Sequence, residues 1–253
     1  MSLHCPRPRA HLGAALVALS LMVAAGCGTA SGADLSEPVG AAPRAVGTGA
    51  TGGAADDGPA AKVTVAGDSI SLGIGMALRE ALDEQQELKV IGETGTGLAR
   101  PDSFDWPTRL EELAAQHPPD VLVLSLGSND AQDLRDVEGR TVVELGDPAA
   151  WDNEYSARLA RSFDAFAGTG TTVLWLGHVR TEDDEVGLRN RHIHDLAEQV
   201  AATRDWVVVG DLAQILGSGE NVASFCLRPD GLHLRESCLE RVAQWLRVNE
   251  PVG

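Results

Sequence analysis

Lysine is nearly absent from this 253-residue chain, occurring only at positions 62 and 89. Arginine does not make up the deficit: 20 basic residues face 37 acidic ones, for a formal charge of −17. With so negative a field and no basic stripe, a nucleic-acid partner would be repelled. Membrane-length apolar segments are missing too, since the apolar run from Leu12 to Gly26 is too short to cross a bilayer comfortably. Gly95-Thr96-Gly97 is not followed by Lys-Ser or Lys-Thr, which excludes a P-loop. His192 and His194, two apart on a predicted helix, face different sides and do not form a metal pair. No metal and no cofactor is expected.

What is present begins with a leader. Arg7 and Arg9 precede the Leu12–Gly26 run, the layout of a secretory signal over residues 1–26. It ends in Ala24-Ala25-Gly26-Cys27, which resembles a bacterial lipobox and makes Cys27 the candidate for lipidation. Ala24 stands where Leu is usual, and cleavage nearby with free secretion is the plainer alternative. Residues 27–61 continue as a stretch dominated by Gly, Ala, Ser, Thr, Pro and Asp. Such a composition cannot bury enough apolar surface to offset its ordering entropy, so it reads as a tether from a lipid anchor. Cys226 and Cys238 are then an even pair in an oxidising compartment. A bridge between them would close a short loop; two buried free thiols are the alternative.

Residues 62–253 read as one domain. Short apolar runs at Lys62–Ala66, Leu88–Gly92, Asp120–Leu126, Thr171–Gly177 and Trp206–Gly210 predict strands. Helical spacing covers Ser71–Glu84, Arg109–His117, Asn153–Ala167, Asp184–Thr203 and Glu236–Val248, with Asp105-Trp106-Pro107 as a helix start. That alternation predicts an α/β domain, a parallel sheet of about five strands with helices on both faces. Ligands of such sheets bind outside the carboxyl ends of the strands.

Four islands fall on that edge: Gly67-Asp68-Ser69, Gly95, Gly127-Ser128-Asn129-Asp130, and Asp230-Gly231-Leu232-His233. Ser69, at a strand-to-helix turn, offers a hydroxyl nucleophile and an unpaired backbone N–H. It could equally be a plain helix cap. Asp230 and His233, three apart around a glycine, suit a base with its orienting acid. His178 follows a strand on the same edge and is the rival base. Asn129 offers an amide donor, although Asn129-Asp130 also suits an ordinary loop turn. Gly95 offers a backbone N–H that substrate can approach closely. With the Ser69 N–H these make three donors for an oxyanion, and the set as a whole fits acyl transfer through a serine ester. Arg100, Trp106, Asp130, His178 and Arg228 are candidate substrate contacts bordering this edge; for the tryptophan a core position, and for the arginines surface solvation, are the alternatives.

The arrangement resembles the SGNH, or GDSL, hydrolase superfamily. The Ser of Gly-Asp-Ser, the Gly, the Asn of Gly-x-Asn-Asp and the His of Asp-x-x-His match Ser69, Gly95, Asn129 and His233, with Asp230 as triad acid. Thr96 to Asp102, Phe104-Asp105-Trp106-Pro107 and Ala131-Gln132 resemble a poorly characterised bacterial subgroup. Cys238 stands where a Gly often follows the His block. The resemblance implies a flavodoxin-like three-layer α/β/α sandwich. It also implies an esterase that removes small acyl groups, acetyl above all, from carbohydrate or cell-wall esters. An O-acetyltransferase using the same triad, or a tethered binding module without activity, are the alternatives.

Overall fold

The computed structural model describes residues 61–82, 86–179, 185–216 and 225–249. The expected signal segment, Cys27 and the tether through residue 60 lie outside them. In chain order the elements are β1 (Lys62–Gly67), α1 (Ser69–Ala81), β2 (Glu87–Gly92), α2 (Trp106–Gln116), β3 (Val121–Ser125), β4 (Leu134–Arg135) and β5 (Thr141–Val143). They continue with α3 (Pro148–Asp164), β6 (Thr172–Leu176), α4 (Glu185–Ala201), β7 (Val207–Gly210), α5 (Leu212–Ile215) and α6 (Glu236–Asn249).

Five strands form one sheet in the order β2-β1-β3-β6-β7, every neighbouring pair parallel. This is the doubly wound order whose reversal point lies between β1 and β3. Alternation along the strands sorts the core into two layers. Leu122, Leu124, Val173 and Trp175 face the layer holding Trp106 and Leu110 of α2, Tyr155 and Phe163 of α3, and Ile193 of α4. Val121, Val123, Leu174 and Leu176 face the layer holding Ile74 and Leu78 of α1, Leu212 of α5, and Val242 and Leu246 of α6. β3 is buried along its whole length, which is why it reads as an unbroken apolar run.

Aspartates start four of the helices. Asp68, Asp105, Asp147 and Asp211 each cap one, accepting from the backbone N–H of Ile70, Thr108, Ala150 and Ala213. Each such cap is worth about 1 kcal/mol. The Asp147-Pro148 cap also explains why α3 begins five residues before the expected Asn153. The β4–β5 hairpin and α5 have no counterpart in the sequence reading, because two to four residues are too few to show a period. Among the described residues no helix is long and apolar enough to cross a membrane.

Two features set the edge that carries the islands. Gly67 pairs with Ser125 of β3, and a Cβ there would lie 1.8 Å from the Ser125 carbonyl oxygen. Its φ of +136° is also one that side chains rarely adopt, so only glycine lets β1 turn out of the sheet here. At the other end of the chain, Cys226 and Cys238 form a disulfide with Cα atoms 5.6 Å apart. The bridge ties the loop before α6 to the first turns of that helix. Within the loop, Arg228 N–H donates to His233 O and Arg235 N–H to Cys226 O, each at 2.7 Å. Replacing both cysteines with serine should lower the unfolding free energy by about 3 kcal/mol, the chain-entropy value for a loop of this length. Urea unfolding of the oxidised and variant proteins measures it; equal midpoints would show that the bridge adds nothing.

Candidate functional site

Ser69 is the first residue of α1, directly after the buried cap Asp68. Its hydroxyl lies 2.9 Å from His233 Nε2, across 164 positions of sequence. The other ring nitrogen, Nδ1, lies 3.1 Å from Asp230 Oδ2. Asp230 Oδ1 accepts the backbone N–H of Leu232 and of His233, each at 2.9 Å. Those two bonds, that from His233 first, hold the Asp230 carboxyl down at about 2, so it is ionised. An ionised carboxylate can only accept, which puts the imidazole proton on Nδ1 and leaves the Nε2 lone pair facing Ser69. The acid therefore fixes both the loop and the tautomer.

The third island lies beside this relay. Ser128 donates to Asp68 Oδ2 at 2.6 Å. Asn129 Nδ2 donates to the Thr96 carbonyl at 2.9 Å and to Ser128 Oγ at 3.2 Å. Gly95 is in the exposed turn immediately before Thr96. The segment after it is clamped from behind. Asp130 accepts the N–H groups of Leu98 and Ala99 at 3.0 and 2.9 Å, and the Tyr155 hydroxyl at 2.7 Å. Arg158 donates to the carbonyls of Leu98 and Ala99. Gly97 makes room for this, since a Cβ there would lie 2.1 Å from Asp130 Oδ1.

The family model that matches the chain covers residues 62–235 and carries the description "protein of unknown function (DUF459)". The chain belongs to this family. Its α/β fold is shared with solved ester hydrolases and with an O-acetyltransferase domain. Axe2, an acetylxylan esterase from Geobacillus stearothermophilus, is similar with a TM-score of 0.54 at 18% identity, over 75% of this chain and 94% of that one. The C-terminal catalytic domain of peptidoglycan O-acetyltransferase A from Streptococcus pneumoniae is similar at 0.51 and 12%, over 76% and 93%. LAE5, an alpha/beta hydrolase from the metagenome of Lake Arreo, is similar at 0.53 and 18%, over 76% and 95%. No curated protein sequence matches the chain.

Two of the expected substrate contacts do not have that position. Asp130 is fully buried and its carboxylate is filled by the three donors above, so it supports the loop. Trp106 is also fully buried, a core residue whose indole N–H donates to Thr96 Oγ1 at 2.9 Å. His178 is buried, and Ser69 is met by His233 and not by this rival base. Arg100 makes a paired contact with Asp102, at 2.8 Å from each nitrogen, and Arg228 Nε donates to the Leu234 carbonyl. Both arginines therefore brace their own loops. Missed in the sequence were the bond from Ser128 to Asp68 and the clamp by Tyr155 and Arg158; neither has a local pattern. Among the described residues no cluster of His, Cys, Asp and Glu could hold a metal.

Burial also sets the charge of the two inner carboxyls. It pushes Asp68 up to about 6, against the lowering pull of its bonds to Ser128 and Ile70, and it raises Asp130 as well. A carboxyl raised on folding binds a proton that the unfolded chain has released, so its ionisation weakens the fold as pH rises. For Asp68 that loss runs from about pH 4 to 6 and reaches roughly 3 kcal/mol by neutral pH. Asp230, lowered on folding, acts oppositely and in a separate window, with stabilisation lost as pH falls from about 4 toward 2. Asp68→Asn should therefore flatten the decline in urea midpoint between pH 4 and 6. An unchanged slope would mean that Asp68 ionises as an ordinary carboxyl.

Proposed function

We propose that this DUF459 chain is an extracytoplasmic serine ester hydrolase. The observation that carries the reading is the relay from Ser69 through His233 to Asp230, with Nε2 2.9 Å from the hydroxyl and Nδ1 3.1 Å from the carboxylate. Ser69 Oγ gives its proton to His233 Nε2 and attacks an ester carbonyl carbon. The carbonyl oxygen becomes an oxyanion, met by the Ser69 and Gly95 N–H groups and by Asn129 Nδ2. As the tetrahedral carbon collapses, the alcohol leaves with the proton from Nε2, and the acyl group stays on Ser69. Water then gives a proton to His233 and adds to the acyl carbon; the bond to Ser69 Oγ breaks, the Nε2 proton returns to that oxygen, and the free acid departs. Asp230 stays ionised throughout and steadies the imidazolium.

The substrate class is an acetyl or similarly small acyl ester on carbohydrate or cell-wall polymer. The likeness to an acetylxylan esterase and to a peptidoglycan O-acetyltransferase supports it at the level of fold. The Cys226–Cys238 disulfide supports an oxidising compartment, in keeping with a leader over residues 1–26 and a lipid anchor at Cys27. The transferase likeness also supports a second reading, in which a sugar hydroxyl replaces water in the second half-reaction.

On p-nitrophenyl acetate, Ser69→Ala should lower kcat at least 1,000-fold, roughly the loss from removing a triad nucleophile. Turnover at the wild-type rate would remove Ser69 from the mechanism. Asn129→Ala should cost on the order of 100- to 1,000-fold in kcat, the value of one oxyanion donor. Labelling of Ser69 by a fluorophosphonate separates an enzyme from a silent binding module. Partition of acetyl between water and added oligosaccharide separates hydrolysis from transfer, an unchanged partition speaking for hydrolysis.

A further inference from the structure

We propose that Ser128, anchored by Asp68, is the positioning residue for the oxyanion donor Asn129. The inference rests on the ester-hydrolase reading and concerns how that site is set before substrate arrives. The Asp68 carboxylate has no exposed surface; one oxygen caps α1 through Ile70 and the other takes the Ser128 hydroxyl proton at 2.6 Å. A hydroxyl has one proton, so with it committed to Asp68 the remaining lone pairs of Ser128 Oγ are its only offer to Asn129. Asn129 Nδ2 meets them at 3.2 Å, while its other hydrogen goes to the Thr96 carbonyl at 2.9 Å. The amide is thus held by one firm bond and one long one. Side-chain amides otherwise turn freely about their last torsion, whose wells are broad.

The long bond is the one to be exchanged. When an oxyanion forms, the Nδ2 hydrogen on Ser128 trades a neutral hydroxyl for a charged oxygen, and charge-assisted bonds are roughly twice as strong. The bond to Ser128 Oγ fixes how the Asn129 amide is turned before substrate arrives, so only this one hydrogen changes partner at the moment of reaction. Through Asp68 the same bond joins the Gly-Asp-Ser and Gly-Ser-Asn-Asp blocks into one unit, with the nucleophile directly following the anchor.

The test compares Ser128→Thr with Ser128→Val, which match in shape and differ only in the hydroxyl. On p-nitrophenyl acetate, S128T should keep kcat near wild type, and S128V should lose about 10-fold in kcat with KM within twofold. In an Asn129→Ala background S128V should have no further effect, because its partner is gone. Equal kcat for S128T and S128V, a loss confined to KM, or a full additional loss on top of N129A would each overturn the proposal. A wild-type chain no faster than S69A would instead overturn the ester-hydrolase reading, and this inference with it.

Discussion

The contact between β1 and β3 at Gly67 and Ser125 is the constraint on which the site depends. Two parallel strands can approach this closely at their carboxyl ends only because one of them has no Cβ there. The Asp68 N–H then donates to the Ser125 carbonyl at 3.0 Å, which locks the start of the turn. From that point both chains leave the sheet together, one into α1 with Ser69 and the other into the loop with Ser128 and Asn129. Hydrogen bonding between the two islands follows from the register of the sheet and needs no long-range coincidence.

Two fully buried carboxyls lie around this junction. Asp68 and Asp130 are both fully buried, yet each is filled by donors from the segments that carry the site. A buried carboxylate is costly unless so satisfied, and here the cost is converted into definition of the loop at 96–100. By contrast, Asp230 and His233 sit on an exposed loop held by backbone bonds and a disulfide. The Ser69 side of the site is fixed by burial, and the His233 side by backbone bonds and covalent closure.

The layered α/β architecture was legible in the sequence because alternation of apolar runs and amphipathic spacing is a local signal. The same holds for the Ser69, Asp230 and His233 constellation, whose pieces each occupy three or four consecutive residues. What was misread depended on the third dimension. Asp130 looked available beside Asn129, but its depth is set by Tyr155 of α3, 25 positions away. Trp106 seemed to border the site, although the first turn of α2 points it into the core against Phe104, with ring centroids 4.7 Å apart. The bond from Ser128 to Asp68 spans 60 positions and joins two residues with no shared local pattern.

One consequence follows from the packing of α1 against α6, the first helix of the domain against its last. Synthesis delivers the alcohol early and the imidazole late, separated by nearly the whole domain. A nascent chain, or one shortened before residue 233, holds a serine with nothing to take its proton. On the proposed ester-hydrolase reading, reactivity toward esters therefore waits until the final segment has docked.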